Sequence, residues 1–355
     1  MNKRIFKSQT LDSGDVPFYK IGTFGKKADA YISSELYEEY RNKYPYPKDG
    51  DLLISASGSI GKIVEYKGQR AYYQDSNIVW LDHDNRILNL FLKAFFQIVK
   101  WNGTEGSTIK RLYNKNILNT EIILPKIKEQ TAVGKLIEKF DYLITLQQRK
   151  LEQLKQLKKA MLQQLFVNKN NKQPILKFKN FRNNWREYKL SEIVNLEDNK
   201  RKPVKATERI RGKIPYYGAN GIQDYVKGYT HIGKHVLIAE DGANSVDDYP
   251  IYFIYSPSWI NNHTHVLTAK EEILSSEFLA YALKKINYAK YLVGSGRYKL
   301  NAEILKLIPL KIPTMNEQKY IESNLSKIDK LIILQQNKLT QLTTLKRYLL
   351  QKLFI

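Results

Sequence analysis

The chain is written twice. FDYLITLQQRKLEQLKQLKKAMLQQLF, from Phe140 to Phe166, aligns without a gap to IDKLIILQQNKLTQLTTLKRYLLQKLF, from Ile328 to Phe354, at an offset of 188 residues. The same offset pairs Glu129-Gln130 with Glu317-Gln318, Pro125 with Pro313, Leu112 with Leu300, and Gly106-Ser107 with Gly294-Ser295. A repeat of this kind halves the folding problem, because one plan must serve both copies. Upstream the likeness loosens to its punctuation: VPFYKIG at Val16 resembles IPYYGAN at Ile214, and GDLLISASGSIG at Gly50 resembles GKHVLIAEDGAN at Gly233. Short apolar runs between glycines predict strands, with QDSNIVWLD and WINNHTHVLT as further candidates. Each half is expected to be a mixed α/β domain followed by one long helix.

The helices carry the clearest signal. Ile137, Phe140, Ile144, Gln147, Leu151, Leu154, Lys158, Met161 and Leu165 are spaced alternately three and four residues apart, which is a heptad seam. The offset converts them to Leu325, Ile328, Ile332, Gln335, Leu339, Leu342, Lys346, Leu349 and Leu353, so the polar interruptions recur as well. Polar seam residues weaken packing and fix register. A helix from Glu129 to about Asn168 spans roughly 60 Å and can act as a ruler. Leu143, Leu146 and Leu157, with Leu331, Leu334 and Leu345, broaden the apolar stripe and are the candidate partner-binding face. The other reading of these leucines is packing on their own domain.

The fold class expected is α/β (α+β), with two domains alternating with two long helices in an antiparallel, coiled-coil-like pair of pseudo-two-fold design. The expected boundaries are a first domain at 1–125, a central helix at 126–168 and a linker at 169–184. A second domain follows at 185–313 and a C-terminal helix at 314–355. The linker is Lys/Asn-rich, with a proline at 174.

Charge narrows the partners. With 58 Lys and Arg against 35 Asp and Glu, the formal charge is +23, which attracts a dense line of phosphates. The alternative is a basic composition inherited from an AT-rich genome. Cysteine is absent, which excludes disulfides and thiolate chemistry. No signal peptide or membrane span is read, and a cytoplasmic location is expected.

Catalytic patterns are scarce. Neither GxxxxGK[ST] nor GxGxxG occurs, and no Asn/Asp-Pro-Pro-aromatic tetrapeptide is present. Asp51 with Glu65 and Lys67 is the best arrangement for a magnesium nuclease, although Asp51 also suits a turn. His263 and His265 share one face of a strand, where hydrogen bonding is the expected role rather than metal ligation. No cofactor and no metal are expected.

Basic clusters behind small residues recur at equivalent places: Lys110-Arg111 in GSTIKRLYNKN, and Arg297 with Lys299 in GSGRYKLNAE. Arginine can grip a guanine edge, and either residue can hold phosphate. Lys62, Lys234 and Asn244 complete the candidate DNA-contacting set.

Taken in order, these elements resemble the specificity (S) subunits of type I restriction-modification enzymes over nearly the whole chain. The motifs are LPKIKEQ at Leu124, IPTMNEQKYI at Ile312, the duplicated helix, GDLLISASGSIG, IAEDGAN and NNHTHVL. The resemblance implies two target-recognition domains that read the unlike halves of a split target in double-stranded DNA. It also implies two modification subunits that methylate adenine N6, restriction subunits that translocate and cut, and no catalytic site in this chain. One departure stands out. WREYKLSEI at Trp185 looks like the usual opening of a recognition domain, and the first half has no equivalent before Met1, so its first domain is expected to be shortened. A coiled-coil adaptor without specific DNA affinity, or a nuclease built on Asp51, is the competing expectation.

Overall fold

The computed structural model describes residues 1–101, 111–167, 171–181, 183–294 and 298–354. They form two compact units, Met1–Arg149 with Asn337–Ile355, and Lys150–Gln336.

Unit 1 opens with β1 (Val16–Tyr19), β2 (Tyr31–Ile32) and α1 (Ser34–Lys43), whose first turn is capped by the Ser33 hydroxyl accepting from the Leu36 N–H. β3 (Leu52–Ser55), β4 (Ile63–Glu65), β5 (Tyr72–Tyr73), β6 (Ile78–Trp80), α2 (Asn89–Phe95) and α3 (Asn114–Leu118) follow. β1 pairs antiparallel with β2 and parallel with β5. β3 lies between β4 and β6, and all four of its residues are buried, the apolar Leu52–Ile54 and then Ser55, whose hydroxyl accepts from the Lys62 N–H at 2.8 Å.

Unit 2 contains β7 (Arg186–Lys189), α5 (Leu190–Ile193), β8 (Val194–Leu196), β9 (Arg211–Gly218), β10 (Gly221–Val226) and β11 (His235–Ala239). β12 (Ile251–Ile254), β13 (Trp259–Ile260), β14 (Thr264–Ala269), α6 (Ser276–Leu283), α7 (Ala302–Leu307) and β15 (Pro309–Ile312) complete its domain. The plan of unit 1 returns. β9 lies between antiparallel β10 and parallel β13, and the fully buried β11 lies between β12 and β14. The looser sequence likeness has a backbone cause at Gly50 and Gly233, which precede the two central strands at φ +88° and +105°. Residues with a Cβ are disfavoured there.

Unit 2 also has what unit 1 lacks among its described residues. β7 pairs with β15, β8 adds an edge to β14, and Trp185, Leu190, Ile193 and Val194 enter the core. At the offset of 188, the corresponding stretches of unit 1, residues 6–8 for β8 and 121–124 for β15, carry no strand. Ile122 is only half-buried and Leu124 is 40% exposed, whereas their equivalents Leu310 and Ile312 are buried.

The long helices are α4 (Ile127–Leu165) and α8 (Met315–Leu353), related at both ends by the same offset of 188. The first starts two residues before the expected Glu129 and stops at Leu165, where the Gln164 carbonyl accepts from the Leu176 N–H. Each helix is shared between the units. In unit 1 Asp141 of α4 pairs with Lys346 of α8, and in unit 2 Lys158 of α4 pairs with Asp329 of α8 at 2.5 Å. Going forward along α4 therefore goes backward along α8, and the helices are antiparallel.

The seam is inward-facing. Ile137, Gln147, Leu151 and Leu165 are buried, with Phe140, Ile144, Leu154, Lys158 and Met161 half-buried. In α8 Leu325, Ile328 and Gln335 are buried, and Ile332, Leu339, Leu342, Lys346 and Leu349 are half-buried. Leu353 departs from the seam as an exposed residue, because Leu349, Leu350 and Phe354 turn toward Ala94 and Ile137 instead.

Candidate nucleic-acid interface

The two ends of β11 organise unit 2. Beyond its C-terminal end, the turn between β9 and β10 is tied to the following loop, because Asn220 donates to the Gly242 carbonyl at 2.8 Å and accepts from the Asn244 N–H at 2.9 Å. Lys299 joins the same end through a backbone bridge to Asp241, and its ammonium lies 3.1 Å from Glu240. Asn244 and Lys299, both exposed, are thus brought together. Lys234 is not. It precedes β11, about 17 Å away along a five-residue strand, with its ammonium over the Tyr255 ring at 5.8 Å. Arg297 lies outside the described residues.

Unit 1 builds the same corner with other side chains. Leu112 donates its N–H to the Ala56 carbonyl at 2.8 Å, as Leu300 does to Glu240 at 2.7 Å, and Arg111 bridges Ser57 as Lys299 bridges Asp241. Arg111 is exposed at this corner. Lys62 instead directs its ammonium to the Phe24 carbonyl and over the Phe24 ring. Lys110 lies outside the described residues.

Sequence reasoning missed a second basic group. Arg211, Lys213 and Lys227 are exposed at the open end of the β9–β10 hairpin, where the Lys227 N–H bonds the Ile210 carbonyl at 2.8 Å. The alternation of Arg211 and Lys213 along one strand face was the available signal.

Among the described residues one cluster has metal-like donors: Asp198, Glu240 and His265, within 4.8 Å of one another. Their charge is already met from the protein. Arg201 pairs with both carboxylates, at 3.3 Å to Asp198 and 2.7 Å to Glu240, and Lys299 adds to Glu240. Burial raises the Glu240 pKa, but the hydrogen bonds from Arg201 and Lys299 outweigh it and hold the carboxyl below its ordinary value. Both His265 nitrogens are engaged, Nδ1 with Asp198 at 2.6 Å and Nε2 with the Leu300 carbonyl at 2.7 Å, while His263 pairs with Asp241. The pattern matches the hydrogen-bonded role expected for these histidines. Asp51 accepts from the Lys48 N–H as a turn residue, and Glu65 is ion-paired to Lys93.

On the helices, Leu146, Leu157, Leu331, Leu334 and Leu345 are exposed, and Leu143 is half-buried. Ile333 of α8 is also exposed, at 60%, and was not foreseen.

Two duplicated α/β domains on long helices, each offering a polar and basic loop corner, define a protein with paired recognition surfaces. The family model "Type I restriction modification DNA specificity domain" matches residues 1–156 and 182–344, and the chain belongs to that family. Over 348 residues it is 25% identical to the type I restriction enzyme MjaVIII specificity subunit of Methanocaldococcus jannaschii, covering 88% of this chain and 80% of that one. A candidate type I restriction enzyme specificity subunit of Haemophilus influenzae is 56% identical over 144 residues, a match spanning 40% of this chain and 37% of the relative. The crystal structure of the S subunit from M. genitalium matches with a TM-score of 0.69 at 18% identity, covering 100% of this chain and 92% of that one, so the fold is shared. No helix among the described residues is long and apolar enough to cross a membrane.

Proposed function

We propose that this chain recognises a bipartite sequence in double-stranded DNA, with each specificity domain reading one half, and thereby directs methylation and restriction by other subunits. One observation carries the reading: the same backbone corner is built twice with unlike side chains, Arg111 and Ala56 in unit 1 where unit 2 has Lys299 and Glu240. A shared scaffold with different contact groups suits two unlike half-sites. Asn244, Lys299 and Arg111, with Lys110 and Arg297, are the proposed base and phosphate contacts, while Lys62 and Lys234 are the weaker candidates on their geometry. The proposed domain limits remain 1–125 and 185–313, with the linker at 169–184 between helix and second domain.

Two antiparallel helices of 39 residues, each about 58 Å long, would set the spacing of the half-sites, near one turn of duplex or about 10 bp. The exposed leucines at 146, 157, 331, 334 and 345, with Leu143, supply apolar surface for two modification subunits that methylate adenine N6, and restriction subunits would join that assembly. The setting is the cytoplasm, where the chromosome lies.

Salt dependence tests the reading. Affinity for duplex DNA should fall steeply with salt, with a logarithmic slope of about −0.9 for every phosphate neutralised. Arg111→Ala and Lys299→Ala should each reduce that slope by about one. A flat salt dependence would instead support an adaptor that works through its helices.

A further inference from the structure

We propose that Asp198, Arg201, Glu240 and His265 form a charge clamp that positions Lys299 for the half-site read by unit 2. The proposal rests on the DNA-reading function above. Four stretches distant in sequence, 198–201, 240–241, 262–266 and 299–300, meet in this network. Their side chains are largely hidden, from 1% exposed at His265 to 16% at Asp198 and Glu240, so they cannot themselves contact DNA broadly. Lys299 differs, with 48% of its side chain exposed.

The clamp fixes both the backbone and the side chain of that lysine's neighbourhood. The Leu300 N–H donates to the Glu240 carbonyl, and His265 holds the Leu300 carbonyl at 2.7 Å from the other side. His265 is held by Asp198, which also accepts from the Val266 N–H at 2.9 Å. Arg201 spans the group, donating to Glu240, to the Thr264 carbonyl at 3.0 Å and to the Asn262 carbonyl at 3.3 Å. Glu240 therefore stays ionised between two cations, and one of those cations is the exposed Lys299. Preorganised cations lose less freedom on meeting a phosphate or base edge than free ones do.

Unit 1 is an internal control. By strand register and matched hydrogen bonds, Ala56 stands where Glu240 does and Val79 where His265 does. Arg111 has no acidic partner among the described residues. The clamp is thus specific to the second domain, and its loss should be felt in one half of the target.

The experiment is methylation mapping in cells that make the full chain with its modification subunit, comparing Glu240→Gln, Asp198→Asn and Lys299→Ala. Glu240→Gln keeps the size and an acceptor oxygen while removing the charge. All three variants should relax discrimination in the same half of the motif, by about tenfold in the rate of methylation at mismatched sites, and leave the other half unchanged. Thermal unfolding of each variant separates this from loss of structure. Equal weakening of both halves, or unchanged discrimination with the variants folded, would overturn the clamp. Absence of a split motif in the unaltered protein would instead remove the function on which the clamp rests.

Discussion

Gln318→Ala is expected to destabilise unit 2 by about 3 kcal/mol, lowering its Tm by about 6–12 °C, because three backbone groups, two of them buried, lose their partner at once. The Gln318 side chain is fully buried. Its carbonyl oxygen accepts from the Ser275 N–H at 2.9 Å, and its amide donates to the Ile273 carbonyl at 2.9 Å and the Pro313 carbonyl at 3.0 Å. These bonds lock the start of α8 to the loop before α6. Gln130 does the same at the start of α4, accepting from the Leu88 N–H and donating to the Arg86 and Pro125 carbonyls at 2.8 and 3.0 Å. Gln130→Ala should therefore cost unit 1 a similar amount. Thermal unfolding of the full chain checks both, with exposed Gln153→Ala as the neutral comparison. An unchanged Tm for Gln318→Ala would show that these three bonds contribute nothing.

Asp329→Ala is expected to cost about 1–3 kcal/mol, more than an exposed ion pair yields and less than a fully buried one. Asp329 holds Lys158 of the other helix and accepts from the Tyr281 hydroxyl at 2.7 Å, so it joins both helices to the domain. Asp141 plays the equivalent part, holding Lys346 and accepting from the Gln97 amide at 3.0 Å. Removing the aspartate strands a lysine whose side chain is only 21% exposed. Replacing both members, Lys158→Met with Asp329→Leu, should recover most of the loss, since an apolar pair of similar volume avoids the stranded charge. A double-mutant cycle by denaturant unfolding measures the coupling, and additive effects of the single changes would remove the pair from the account.

These two sets of contacts explain parts of the repeat that periodicity exposed without interpreting. The spacing of apolar residues placed both helices to within a few residues, because a heptad seam is a local property. It also marked Lys158 and Lys346 as polar interruptions. Their partners, Asp141 and Asp329, escaped notice because an acidic residue at a helix surface position is ordinary until the neighbouring helix is known. Glu129-Gln130 and Glu317-Gln318 stood out as identities, and only the three-dimensional path of residues 86–88 and 273–275 gives the glutamines their work.

The domains were less readable. β5 and β13 are two residues long, and each pairs in parallel with a strand far upstream, an arrangement that no local pattern encodes. WINNHTHVLT, taken as one candidate, divides into β13 and β14. The candidate DNA contacts were also only partly grouped by sequence. Asn244 and Lys299 meet through Glu240 and Asp241, whereas Lys234 lies at the far end of β11 and Lys62 turns to an internal carbonyl. The clamp around His265 was invisible for the same reason, since its four residues come from three separate segments.

The central claim is that two copies of one scaffold read two different half-sites, and the most direct test is to map N6-methyladenine across a methylation-free genome after co-expressing this chain with its modification subunit. A single motif of two unlike halves separated by a fixed spacer is the predicted result. A palindromic motif, or an unsplit one, would contradict the account, because it would mean that the two domains do not contribute separate recognition.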